Sequence, residues 1–187
     1  SGKSLFMQNL AINWMEAGLN GVIISLELSE ELTASRIYSM VTEIPSKGIT
    51  GRAEDVALKA GMFAKQKGKM RVKYMPAQSN VNHIKSYLKQ LQVETGMPLD
   101  YIMVDYLDLL MPISVKVSPS DLFVKDKYVS EELRNLAAEL NILLVTASQL
   151  NRSAVEEIEF DHSHISGGIS KINTADNVIG IFTSKSV

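Results

Sequence analysis

Ser1-Gly2-Lys3-Ser4-Leu5-Phe6-Met7-Gln8-Asn9-Leu10-Ala11-Ile12-Asn13-Trp14-Met15 opens the chain and decides how the rest is read. Its first four residues match the back half of G-x-x-x-x-G-K-[ST]. In that pattern backbone N–H groups and a helix N-terminus hold phosphates, the Lys reaches the β- and γ-phosphates, and the hydroxyl binds Mg²⁺. Ser1, Gly2, Lys3 and Ser4 are thus candidate nucleotide contacts, with Ser4 also a metal ligand. Met7, Leu10, Ala11, Trp14 and Met15 recur at the spacing of one helix face. A phosphate loop running straight into a helix predicts an α/β fold. A lone Gly-Lys-Ser arises often by chance, so its weight depends on the downstream segments.

Those segments alternate. Val22-Ile23-Ile24-Ser25-Leu26 reads as a buried strand. Ser29 suits a helix N-cap, with Glu30 and Glu31 in the first turn and Pro45 as the stop. Residues 53–67 read as a smaller helix and Arg71 to Met75 as a strand. Val81, Ile84, Leu88 and Leu91 mark a helix closed by Gly96 and Pro98. Tyr101 to Leu110 reads as the strongest strand, 111–125 as a long loop, and Val129 to Leu140 as a helix stripe. Ile142 to Thr146 and Val178 to Thr183 read as the last two strands. Apolar strands alternating with helices predict one domain over 1–187, a mainly parallel twisted sheet with helices on both faces. Ligands of such sheets bind at the carboxyl ends of the strands.

Composition narrows the classes. With 45% hydrophobic and 21% charged residues, the 187-residue chain has a globular profile. No run reaches the ~18 apolar residues of a membrane span. Cysteine is absent, which excludes disulfides and thiolate metal sites. A net charge of −2 does not announce a nucleic-acid partner, which would need a local basic patch.

The remaining candidates sit at predicted strand ends. Asp105 closes an apolar strand, where phosphate-loop ATPases place a carboxylate on the Mg²⁺ shell. Glu27 follows the first strand, a position that suits either polarising an attacking water or an ordinary surface place in a strand-to-helix loop. Gln149 follows a later strand, and a neutral amide suits a sensor of the γ-phosphate better than a base. Arg152 lies three residues on, suited to phosphate or nucleic acid. Two stretches suit a polyanion: the loop with Lys116, Lys125 and Lys127, and Ser166-Gly167-Gly168-Ile169-Ser170-Lys171, whose paired glycines let backbone N–H groups approach phosphates. The basic run from Lys59 to Lys73 reads as a solvated face. His162 and His164 lack a third ligand at metal-site spacing.

In series, Gly2-Lys3-Ser4, Ser25-Leu26-Glu27-Leu28-Ser29, Val104-Asp105-Tyr106-Leu107 and Ala147-Ser148-Gln149-Leu150-Asn151-Arg152 resemble the C-terminal motor domain of DnaB-family replicative helicases, phage ones included. The last block is the most telling. The resemblance implies a RecA-like fold, a ring of six subunits and ATP-driven 5′-to-3′ movement on single-stranded DNA. It further implies primase and helicase-loader partners, no membrane, and the cytoplasm of a bacterium or a phage-infected host. Glu27 and Gln149 would be catalytic. Lys3, Ser4 and Asp105 would hold Mg²⁺-ATP, and Lys116, Lys125, Lys127, Gly167, Gly168 and Lys171 would face DNA. The loop before Gly2, the family's arginine finger and its primase-recruiting domain are not in these residues. The expectation is a fragment of a longer protein, weakly active or inactive alone. A recombinase, a RadA-like repair protein or a KaiC-like ATPase would share the fold and the first two blocks. A non-catalytic ring-assembly module would have no chemical need for both Glu27 and Asp105.

Overall fold

The computed structural model describes residues 2–65, 68–118, 120–149 and 169–181. Strands β1 (Gly21–Ser25), β2 (Met70–Tyr74), β3 (Tyr101–Asp105) and β4 (Leu143–Thr146) form one sheet in the order β2-β1-β3-β4. All three pairings are parallel. The chain winds from β1 outward to β2, then returns past β1 to β3. The carboxyl ends of β1 and β3 therefore flank a switch point of the kind that binds ligands in open sheets.

Helices α1 (Lys3–Glu16), α2 (Glu30–Thr42), α3 (Ala53–Phe63), α4 (Val81–Thr95), α5 (Leu122–Leu140) and α6 (Ile169–Asn173) complete the regular structure. Successive strand residues point to opposite faces, and both faces are covered. Val22, Ile24, Ile102 and Val104 pack with Ile84 and Leu88 of α4 and Val129, Leu133 and Leu136 of α5. Ile23, Tyr101 and Met103 face the other way, onto Met7, Ala11 and Ile12 of α1 and Ile37 of α2. Every residue of β1 and β3 is buried, as their apolar sequences require.

Local signals set several boundaries. The Ser29 hydroxyl accepts from the Leu32 N–H and caps α2. Asn80 and His83 form a reciprocal capping box at α4. Gly96 ends α4 with φ 64°, a conformation that costs glycine little. Gly21 has a different reason. It lies opposite Tyr101 in the β1–β3 register, and a Cβ there would fall 2.1 Å from the buried ring.

Three expectations need correction. The strand expected to run to Leu110 stops at Asp105. The Asp105–Tyr106 peptide is cis, and a 3₁₀ turn follows at Leu107–Leu109. Leu107 and Leu110 are buried from this turn beneath α5, so the apolar run continues after the strand has ended. The 111–125 loop ends early, because the Asp121 carboxylate accepts from the Val124 N–H and starts α5 at Leu122. Of the expected final strand, Val178 to Ile181 is described and is not a strand. It pairs with no described strand edge, and Val178, Ile179 and Ile181 are exposed.

Candidate functional site

Because the sheet is parallel, the ends of β1, β3 and β4 share one rim. Ser25 is opposite Asp105, and Val104 is opposite Thr146. Glu27, Asp105 and Gln149 leave the sheet at that rim. Lys3 and Ser4 begin α1, whose first turn carries no acidic residue, so its positive dipole end is left for an anion.

Asp105 joins these parts. It is 4% exposed, and its Oδ1 has no hydrogen-bond partner. Burial pushes its carboxyl pKa up. The Ser4 hydroxyl, within hydrogen-bonding reach, opposes this, while the Glu27 charge adds to it and Lys3 and Arg36 pull it down. One carboxylate thus feels Ser4, Glu27, Lys3 and Arg36 together. The Lys3 Nζ also lies 5.4 Å from the centre of the Tyr106 ring. Glu27 itself is exposed, open to water.

This donor set fits Mg²⁺. A buried oxygen without a partner beside a serine hydroxyl offers a hard cation two oxygen ligands, and Mg²⁺ characteristically takes the rest from phosphates and water. Among the described residues no group of three or more His, Asp or Glu is placed to hold a metal ion.

Beside this rim lies a second cluster, in which ammoniums and carboxylates pair at close range while Asp126 Oδ1 has an ion pair but no hydrogen bond. Asp108, on the 3₁₀ turn, accepts from the Ser148 Oγ at 2.8 Å and from the Gln149 N–H at 3.0 Å. The Lys171 ammonium lies 2.9 Å from Asp108, 2.5 Å from Asp126 and 2.9 Å from the Ser148 Oγ. Lys125 donates to the carbonyls of Asp108 and Leu110 and pairs with Asp126 at 3.0 Å.

In that cluster two of the residues expected at DNA, Lys125 and Lys171, are engaged by protein partners. Lys125 is 3% exposed and spent on interior partners. Lys171 sits in an ion network, its side chain 12% exposed. Burial works against its charge, but Asp126 and Asp108 outweigh burial, and its pKa is raised. Lys116 and Lys127 are exposed. Ser1, Arg152, Gly167, Gly168 and the His162–His164 pair lie outside the described residues, as does Lys67 of the basic run.

The family model described as the DnaB-like helicase C-terminal domain matches residues 1–166. The chain belongs to that family. It is 27% identical over 190 residues to a DnaB-like replicative helicase of Enterobacteria phage T4, covering 98% of this chain and 40% of that protein. It is 28% identical over 155 residues to the replicative DNA helicase DnaB of Helicobacter pylori, covering 81% of this chain and 31% of the relative. The chain thus spans less than half the length of either. Among solved structures, one ATPase domain superposes with a TM-score of 0.73 at 20% identity, over 94% of this chain and 63% of that one. A DnaB-like replicative helicase described with its interactions with primase gives 0.66 at 22%, over 83% and 38%. These structures share the RecA-like fold of the DnaB-like domain.

In this DnaB-like domain, sequence reasoning missed Arg36, Tyr106, Asp108 and Asp126. Arg36 enters only because α2 carries it back toward Asp105. Asp108 had a signal: a charge within Tyr106-Leu107-Asp108-Leu109-Leu110 is an acid in an apolar run, which asks for a buried partner.

Proposed function

We propose that this chain is the ATP-hydrolysing motor of a replicative DNA helicase, working in a ring of six subunits on single-stranded DNA. The observation that carries the reading is Asp105: a buried carboxylate with an unpartnered oxygen, in contact range of Ser4 and in the field of Lys3 and Glu27. Such an arrangement is destabilising alone and useful only when a cation and phosphates complete it.

Lys3 and the α1 N-terminus bind and orient the β- and γ-phosphates. Ser4 and Asp105 would hold Mg²⁺, which when bound supplies charge neutralisation on the phosphate oxygens. Glu27, exposed at the β1 end, accepts a hydrogen bond from the attacking water and aims it in line with the γ-phosphate. Gln149 lies at the same rim, where its amide contacts the γ-phosphate before hydrolysis and loses that contact after. Exposed Lys116 and Lys127 serve the DNA side, where phosphate contacts give salt-sensitive, sequence-independent binding. Primase and a loader act on the assembled ring, in the cytoplasm of a bacterium or an infected host.

The test is Mg²⁺-dependent ATP hydrolysis by the intact protein, with and without single-stranded DNA, alongside strand displacement on a forked duplex. DNA-stimulated turnover with unwinding is expected. Turnover without unwinding would favour a different RecA-like ATPase, and no turnover would sink the motor reading.

A further inference from the structure

Lys171 stands apart from the phosphate and metal chemistry, yet it touches the piece of chain that carries Gln149. We propose that Lys171 is a positioning residue for the γ-phosphate sensor. Its ammonium locks Asp108 and Ser148 together, Asp108 fixes the backbone of Gln149, and the sensor is thereby set at the nucleotide rim. The proposal rests on the motor reading of the Asp105 site.

The geometry is specific. An ammonium has three donors, and here three acceptors surround it: Asp108 Oδ1 at 2.9 Å, Ser148 Oγ at 2.9 Å and Asp126 Oδ2 at 2.5 Å. Asp108 uses its other oxygen for the Gln149 N–H and shares Oδ1 with the Ser148 hydroxyl. Two consecutive residues after β4 therefore hang from one carboxylate, which Lys171 holds in place. Asp108 has a second tie to the nucleotide rim. It lies three residues beyond Asp105, on a turn whose Leu107 N–H donates to the Ala147 carbonyl at 3.1 Å.

The cluster also borders the rim electrostatically. The Tyr106 phenol is held above its ordinary pKa by burial and by Glu27, Asp108 and Asp105, against the opposing charge of Lys171. The far side of the lysine is anchored too. Asp126 belongs to α5, and Arg134 of the same helix donates to the Thr174 carbonyl at 2.7 Å and pairs with Asp176 at 3.1 Å, just past α6. Lys171 thus joins α6, α5, the 3₁₀ turn and the Gln149 segment in one rigid connection.

The decisive measurement is nucleotide discrimination in the intact protein: the Kd for ADP divided by the Kd for a non-hydrolysable ATP analogue, from fluorescence titration with Mg²⁺. In Lys171→Met this ratio should fall about tenfold or more, the loss expected when a hydrogen bond to a charged phosphate is misplaced. Its kcat should fall, and its KM for ATP should rise in step with the analogue Kd, since KM approaches Kd when chemistry is slow. A lysine that merely supported the fold would weaken both affinities alike, so an unchanged ratio overturns the proposal. If Lys171→Met does not fold, Lys171→Gln keeps polar donors without the charge and is read by the same ratio, with the same overturning result. A wild-type protein that neither hydrolyses ATP nor prefers the triphosphate would instead defeat the motor reading beneath it.

Discussion

Two clusters of charge share one rim of the sheet, and they are built on opposite plans. Around Lys171, two ammoniums and two carboxylates answer one another, and hydroxyl and backbone groups fill further positions. Around Asp105, a buried carboxylate keeps one oxygen without a partner, and Glu27 adds a second negative charge to its surroundings. Both sets of residues pay desolvation and each keeps a carboxylate oxygen without a hydrogen bond, but in the first both ammoniums lie within 3.0 Å of a carboxylate. The second is left to be completed by something bound. A structural ion cluster and a ligand site can thus be told apart at one rim by asking which charges are already compensated.

The sharpest way to break this contrast is to remove chemistry from the uncompensated side. Lys3→Ala and Glu27→Gln should each lower turnover of the intact protein by about 10²–10⁴-fold. Nucleotide binding should weaken in the first and survive in the second. Normal hydrolysis by Glu27→Gln would remove that residue from catalysis. In the Lys171 cluster, Asp126→Leu leaves the buried Lys125 and the half-buried Lys171 short of a carboxylate. Unfolding by urea should show a loss of about 3–5 kcal/mol, and a loss under about 1 kcal/mol would mean the cluster is not a sealed unit. Gly21→Ala, at the opposite end of the β1–β3 pair, serves as a control. The added Cβ meets the Tyr101 ring, which is packed edge-on to Trp14 at 4.9 Å and cannot swing clear. That change should cost about 1–3 kcal/mol and leave the kcat of the folded fraction alone.

The same contrast explains what the sequence disclosed. Ser29 and Gly96 carry their instructions locally, so the start of α2 and the close of α4 were legible from short stretches, while the Asn80 cap of α4 was not singled out. Glu27 and Asp105 were legible because apolar strands ending in acids bring their ends to one rim by topology alone. The turn after Asp105 was hidden, since Leu107 and Leu110 continue the apolar run of β3 while the backbone has already changed. The interior partners of Lys125 and Lys171 were hidden for a different reason. A lysine is exposed by default, and only contacts between residues 108, 126 and 171, remote in sequence, turn these two inward. Compensation is a tertiary property, and short-range pattern does not report it.

The smallest expected effect tests the uncompensated side most directly. The Asp105 carboxyl titrates above its ordinary value of 3.8 because burial disfavours its charge, before the weaker influences of Ser4, Glu27, Lys3 and Arg36. The native state therefore holds that proton more tightly than the unfolded chain does. Its contribution to stability is present below the ordinary pKa and is lost as pH rises through the folded one. Asp105→Asn removes the titration. In the absence of nucleotide and Mg²⁺, the variant should be more stable than wild type at neutral pH by about 1–2 kcal/mol, or about 2–4 °C in Tm per kcal/mol. The advantage should shrink as pH is lowered toward about 4. Adding Mg²⁺-ATP should reverse the order, because only the aspartate gains from the cation. Thermal melts of both proteins across that pH range, with and without Mg²⁺-ATP, read all three signs. If the asparagine variant is the less stable one at neutral pH without ligand, Asp105 is compensated after all, and the distinction between the two clusters fails.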